Sequence, residues 1–299
     1  MPDIALIKTR ISATQNTRKI TRAMQMVAAS RMKVFQGKAL AARAYAWSLL
    51  DGLKQAHASF ADVEFGRARK KGPLLFVLLT SDKGLCGALN SRLIEALFSS
   101  PRWKEASSER MLVTVGKKSL EAARRRGITV AQSFEGLAES MNPLESLRVT
   151  NEILGYWERG ECSEIILISP HFVNAFTTHV TEKTYLPFNA EMILSHLKWR
   201  GDSDNESAEE MFKSQHVYYE PTEGDVVEVL SLQLAQTLFV QAFFELKASE
   251  YSSRMVSMKS ATEAADDFVT NLTLDYNKVR QGLITQQLAE LSSGMEALG

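Results

Sequence analysis

The residues most suggestive of chemistry lie where a short apolar run meets a helical pattern. Leu74-Leu75-Phe76-Val77-Leu78-Leu79-Thr80 leads into Ser81-Asp82-Lys83-Gly84-Leu85-Cys86-Gly87, and a helix-like spacing begins at about Ala88. A strand, a glycine-rich loop and a helix together are what a nucleotide's phosphates require, because backbone N–H groups at a helix start carry an anion. Here glycines stand only at 84 and 87, so neither G-x-G-x-x-G nor G-x-x-x-x-G-K-[ST] is present. Gly116-Lys117-Lys118-Ser119 has something of the second motif's tail, but Met111 stands where its first glycine belongs. No nucleotide or other cofactor is expected.

Metal and covalent chemistry fare no better. The five histidines, at 57, 171, 179, 196 and 216, show no ligand spacing, and no cysteine stands near them in a zinc pattern. No metal site is expected. Cys86, between glycines, could act as a nucleophile, but a small buried packing residue is the simpler reading. Ser81-Asp82 has no histidine in its sequence context. No catalytic constellation emerges. Cys86 and Cys162 cannot build a disulfide framework and fit a reducing compartment.

The elements that would position such residues are marked by charge and proline. The net charge of the 299 residues is zero, but residues 1–50 hold nine basic side chains against Asp3 alone. Residues 200–299 hold seven basic and seventeen acidic ones. Ends of opposite sign suggest that they lie against each other, or that each faces a partner of opposite charge. Basic residues at 8, 10, 18, 19, 22, 31 and 33 could neutralise phosphates. No aromatic residue interleaves them before Phe35, however, and the chain carries its own acidic counterpart, so nucleic acid is not an expected partner. Residues 3–72 and 222–299 contain no proline, while Pro101, Pro143, Pro170 and Pro187 lie between them. Each proline-free stretch can hold one long helix, and ~70 helical residues would span roughly 100 Å. Hydrophobic residues make up 45% of the chain, enough for a core. No uninterrupted run of eighteen apolar residues occurs, which argues against a transmembrane span. Met1-Pro2-Asp3-Ile4 lacks a signal peptide's apolar core.

The expected organisation is a long N-terminal helix (1–71), a central α/β domain (72–220) and a long C-terminal helix (221–299). Met255, Met258, Thr262, Ala265, Val269, Leu272, Tyr276, Val279 and Leu283 alternate by threes and fours, a coiled-coil seam of four heptads. At the other end Ile4, Ile7 and Ile11 begin a stripe that, read by apolar identity, resumes out of phase at Ile20, Met24 and Val27. In the middle, strands are expected at 74–80, 111–115, 128–134 and 164–169. Helices are expected at 88–98, 117–126 and 143–158. That alternation predicts a mostly parallel, Rossmann-like α/β layer. Residues 172–186 and 190–199 read as extended chain in mixed or antiparallel strands, 201–207 as a polar loop and 216–219 as a last strand.

Three stretches resemble one family. Asn16-Thr17-Arg18-Lys19-Ile20-Thr21-Arg22-Ala23-Met24-Gln25-Met26-Val27-Ala28-Ala29-Ser30 is similar to the N-terminal helix signature of the gamma subunit of F-type ATP synthases. Residues 81–90 resemble that family's central loop. Arg254-Met255-Val256-Ser257-Met258-Lys259-Ser260-Ala261-Thr262 and 276–288 resemble its C-terminal signature. Order, spacing and length agree across essentially the whole chain. The resemblance implies an antiparallel, left-handed shaft of the two long helices with the α/β domain at its membrane-proximal end. Its implied partners are the alternating alpha and beta subunits of the catalytic ring, the epsilon subunit and the membrane ring of c subunits. The implied role is that of a central-stalk rotor with no catalytic group of its own, coupling ion-driven rotation to ATP synthesis or hydrolysis. The implied place is the cytoplasmic face of a bacterial inner membrane, as a peripheral protein. Arg280, Gln281 and Thr285 match family residues that hydrogen-bond a catch loop on the beta subunit, and Met24 and Arg254 match positions tied to coupling. The sequence departs from the family at Ala88, where a second glycine is usual, at Glu263-Ala264, where Asp-Asn is usual, and at Gly282 in the last helix. The alternative is a coiled-coil adaptor whose α/β head binds a small ligand.

Overall fold

The computed structural model describes residues 4–55, 64–69, 72–106, 109–189, 192, 193, 196, 220 and 222–296. The chain divides into two compact units, one from Met1–Ala29 and Arg254–Gly299, the other from Ser30–Ser253. Two long helices contribute to both: α1, Ile4–Gln55, and a C-terminal helix, Glu223–Glu296, which we label α6.

In the first unit the two helices pair antiparallel. Thr21 and Thr262 meet hydroxyl to hydroxyl at 2.8 Å, and Arg18 reaches Asp266 at 2.6 Å. Counting away from Thr21 and Thr262 brings Ile4 opposite Val279. On α6 every residue of the expected seam from Met255 to Leu283 is buried or half-buried. On α1 the seam runs Ile4, Ile7, Ile11, Thr14, Arg18, Thr21, Gln25 and Ala28 without losing phase. The expected phase shift is therefore corrected: Ile20 and Val27 are 60% and 59% exposed. The three-four rhythm persists but is carried by threonines, an alanine and long polar stems. Small side chains let two backbones come close, and a long stem can lie along the seam with its head in water. Most of the basic charge, at Lys8, Arg10, Lys19 and Arg22, is turned outward.

The second unit holds a five-stranded sheet. Its strands are β1 (Leu74–Leu79), β2 (Arg110–Val115), β3 (Gln132–Phe134), β4 (Glu164–Phe172) and β5 (Thr178–Leu186), in the order β3-β2-β1-β4-β5. The first four are parallel, and β5 joins antiparallel to β4. The run Leu75–Leu79 is buried throughout, as befits a central parallel strand covered on both faces. Between the strands lie α2 (Leu89–Ser99), α3 (Pro101–Glu105), α4 (Lys117–Arg125) and α5 (Pro143–Glu158). The Asn142 side chain accepts from the Glu145 N–H at 2.8 Å, with Pro143 at the first helical position, so α5 starts where sequence reading put it. β3 is shorter than expected and β4 longer. Of 190–199, the described residues 192, 193 and 196 are helical, not extended. The loop expected at 201–207 and the strand at 216–219 lie outside the described residues.

Within this unit α1 and α6 also run antiparallel, Phe35 stacking on Tyr251 with centroids 5.6 Å apart. Leu234, Leu238, Phe239 and Phe243 of α6 are core residues. One 18-residue window between Glu223 and Ser293 has mean hydropathy 1.4, long and apolar enough by composition to cross a membrane, but half of it is buried inside the protein. Lacking an uninterrupted apolar run thus did not preclude so apolar a helix.

Candidate functional site

The loop after β1 is where a nucleotide would sit in a parallel α/β sheet, beside the β1/β4 switch point of the strand order. Three oxygens of this chain hold the N–H groups that begin α4. The Asp82 carboxylate accepts from the Lys117 N–H at 2.9 Å, the Ser81 carbonyl from Lys118 at 3.2 Å and the Thr80 hydroxyl from Ser119 at 2.8 Å. Asp82 also accepts from the Gly136 N–H at 3.3 Å. The amides that would cradle a phosphate are thus committed to the protein's own side-chain and backbone oxygens. Gly116, at the turn into α4, has φ +95°, and a Cβ there would fall 2.0 Å from the Thr80 carbonyl oxygen. Its glycine serves a close backbone approach. Cys86 is buried, with its sulfur 3.2 Å from the Asn90 amide nitrogen, and Asn90 in turn accepts from the Ser81 N–H. That is the packing role expected of it. Among the described residues no cluster of three or more His, Cys, Asp or Glu side chains could hold a metal ion.

The five residues singled out on the helices fall in separate places. Met24 is half-buried beside the α1 seam, and Arg254 is buried at the start of the α6 segment of the first unit. Arg280, Gln281 and Thr285 are all exposed, and the Thr285 hydroxyl donates to the Gln281 carbonyl at 3.0 Å. Twenty-six residues of one helix separate Arg254 from Arg280, about 39 Å at 1.5 Å per residue. The structure therefore brings Gln281 and Thr285 together within one turn, with Arg280 adjoining, and keeps this patch apart from Arg254. Beyond Val279 the counted register leaves α6 with no part of α1 opposite it. There Ile284, Leu288 and Leu291 are exposed.

A charged cluster that sequence reading did not single out lies inside the second unit. The Glu245 carboxylate of α6 receives Arg43 of α1 at 2.9 Å, the Gln241 amide at 3.1 Å and the His171 ring Nδ1 of β4 at 2.7 Å. His171 and Glu245 side chains are only 4% and 6% exposed. Burial alone would push the Glu245 carboxyl up. The hydrogen bond and charge of His171, the charge of Arg43 and the Gln241 amide outweigh it and hold the group down at about 2. Lys183 of β5 adjoins the cluster, and burial lowers its pKa against the pull of Glu245. The signal available in sequence was the acid Glu245 inside the apolar stretch 238–246, a position that burial tolerates only with partners.

Three comparisons bear on this arrangement. A family model described as ATP synthase matches residues 3–298. The ATP synthase gamma chain of Acidithiobacillus ferrooxidans is 34% identical over 298 residues, covering 98% of each chain. Among solved structures, a chain of the Euglena gracilis mitochondrial ATP synthase (OSCP/F1/c-ring) aligns with TM-score 0.64 at 16% identity, over 99% of this chain and 94% of that one. A chain from the central stalk/c-ring of Tetrahymena thermophila mitochondrial ATP synthase aligns with TM-score 0.59 at 24% identity, over 81% and 99%. The two solved chains share the fold.

Proposed function

The chain belongs to the ATP synthase gamma-chain family, and from that premise we propose that it is the rotor of the enzyme's central stalk. It is a subunit of the complex, and in this reading it carries no catalytic group. Ion flow through the membrane ring of c subunits turns it. Its asymmetry then drives the catalytic sites of the alpha and beta subunits through different states, coupling rotation to ATP synthesis or hydrolysis. The epsilon subunit joins it near the membrane ring, at the cytoplasmic face of a bacterial inner membrane.

The observation that carries this reading is the uninterrupted α6, Glu223–Glu296, seamed against α1 as far as Val279 and continuing past it with the apolar side chains of Ile284, Leu288 and Leu291 outward. A helix that turns inside an apolar sleeve needs such a surface, and a torque-bearing pair needs the seam. In functional terms the chain divides into the helix 1–71, the α/β head 72–220 and the helix 221–299. Arg280, Gln281 and Thr285 form the contact with the beta subunit's catch loop. Met24 and Arg254 set the stiffness on which coupling depends. The outward basic face of α1 suits the acidic lever loop of the beta subunit.

Reconstitution with the host's alpha and beta subunits tests the reading. The chain should enter the hexameric ring at one copy and switch on cooperative ATP hydrolysis, and R280A/Q281A should lower that activation severalfold. A chain that elutes alone and leaves hydrolysis unchanged sinks the rotor reading and leaves the adaptor with a ligand-binding head.

A further inference from the structure

Helix α6 carries a run of buried apolar side chains in the second unit, Leu234, Leu238, Phe239 and Phe243 among them, but polar ties join it to the sheet side at three levels. The Tyr185 hydroxyl of β5 donates to the Ala235 carbonyl at 2.6 Å. Ten residues on, Glu245 binds His171 of β4 and Arg43 of α1. About two turns further, the Ser252 hydroxyl donates to the Ala175 carbonyl in the β4–β5 turn. At the same level Glu139, in the loop before α5, joins both helices, taking Arg31 of α1 at 3.4 Å and the Tyr251 hydroxyl of α6. Apolar packing is non-directional, so a helix held by it alone resists turning or sliding only through the shapes of its side chains. Charge-assisted hydrogen bonds weaken steeply with distance and angle, and they fix one register.

The middle tie is the most expensive. Replacing a buried ion pair by apolar side chains of similar size is often neutral or stabilising. Among the described residues, Arg43 Nε and Gln241 Oε1 are moreover buried with no hydrogen-bond partner, and such atoms detract from stability. A contact serving stability alone would be better built from apolar side chains.

We infer that Glu245 is the keystone of a directional joint. With Arg43, Gln241 and His171 it locks α1 and α6 in rotational register against the sheet, so that torque in the helix pair passes to the α/β head instead of being lost in slippage. This rests on the rotor reading. Glu245 acts here as a positioning residue.

The test uses the whole complex in inverted membrane vesicles and reads ion uptake, of protons or sodium, per ATP hydrolysed. The wild-type chain comes first: if it neither assembles nor activates hydrolysis, the rotor reading itself has failed. With a coupled wild type, E245Q keeps side-chain shape but removes the charge. It should hydrolyse ATP within about twofold of wild type while uptake per ATP falls at least threefold. E245D, which keeps the charge, should recover more coupling than E245Q. H171L removes one tie yet leaves Arg43 paired, and it decides the matter if E245Q does not assemble; it too should lower uptake per ATP. Wild-type coupling in E245Q, or in H171L where E245Q does not assemble, overturns the joint. So does equal loss in E245Q and E245D, which would assign the effect to packing.

Discussion

Gly116 stands where β2 gives way to α4, and the space around it belongs to the Thr80 backbone. Any Cβ would fall 2.0 Å from that carbonyl oxygen and 2.7 Å from its carbon, at a φ of +95° that L side chains rarely adopt. Neither backbone can yield without opening the hydrogen bonds that tie the loop after β1 to α4. G116A should therefore cost at least about 3 kcal/mol of stability or prevent folding. G84A, in the same loop system but with open space and ordinary φ, should stay within about 0.5 kcal/mol of wild type. Urea denaturation followed by circular dichroism separates the two, and equal effects would refute the steric account. At this scale the sequence was legible for residue type and mute about partners. Ser81 and Asp82 were visible as groups that could do chemistry. Their task, accepting from amides 35 or more residues ahead, depends on β1 and β2 lying side by side.

On the helices, legibility depended on whether the seam was apolar. The α6 seam could be read from Met255 to Leu283 because most of its residues are hydrophobic, and the structure buries or half-buries each one. On α1 the same spacing passes through Thr14, Arg18, Thr21 and Gln25, so apolar identity pointed to the wrong stripe. Periodicity of position, followed onward from Ile4, Ile7 and Ile11, would have found it. Strands β1, β2 and β4 and helix α5 were legible because buried runs, a cap and a proline mark them. The antiparallel β5 was legible as extended chain in a mixed or antiparallel strand, though not its bounds, since seven of its nine residues are not fully buried. Gly282 lies in the helical part of α6 with nothing within 4 Å of where a Cβ would stand. A helix interior is about 1 kcal/mol less stable with Gly than with Ala. G282A should thus stiffen the last turns, slowing amide exchange at residues 283–293 up to about fivefold. Unchanged exchange would show that Gly282 does not limit the opening of this segment.

For the molecule as a whole, acid is the condition to watch. Burial, assisted by Lys183, pushes His196 from 6.5 down to about 4, against the opposing influence of its hydrogen bond to the Thr184 carbonyl and the charge of Glu245. An unfolded chain takes up that proton below about 6.5 and the folded one only near 4, so stability is present at neutral pH and lost as pH falls through that window. Glu245, held at about 2 instead of 4.5, adds a second loss of the same sign between about 4.5 and 2. At pH 5 the chain should be about 2 kcal/mol less stable than at pH 7, and H196Q should remove most of that first slope. A slope that survives in H196Q would place its origin elsewhere. The pairing of α1 with α6 has one further consequence, in time. Thr21 must find Thr262 across 241 residues of chain, so at ribosomal rates the first helix waits roughly ten to fifty seconds for its other half. Closing so long a loop comes late in folding. Its threonines and outward charges limit the apolar surface that the waiting segment shows to other nascent chains, a demand on solubility that the finished seam no longer reveals.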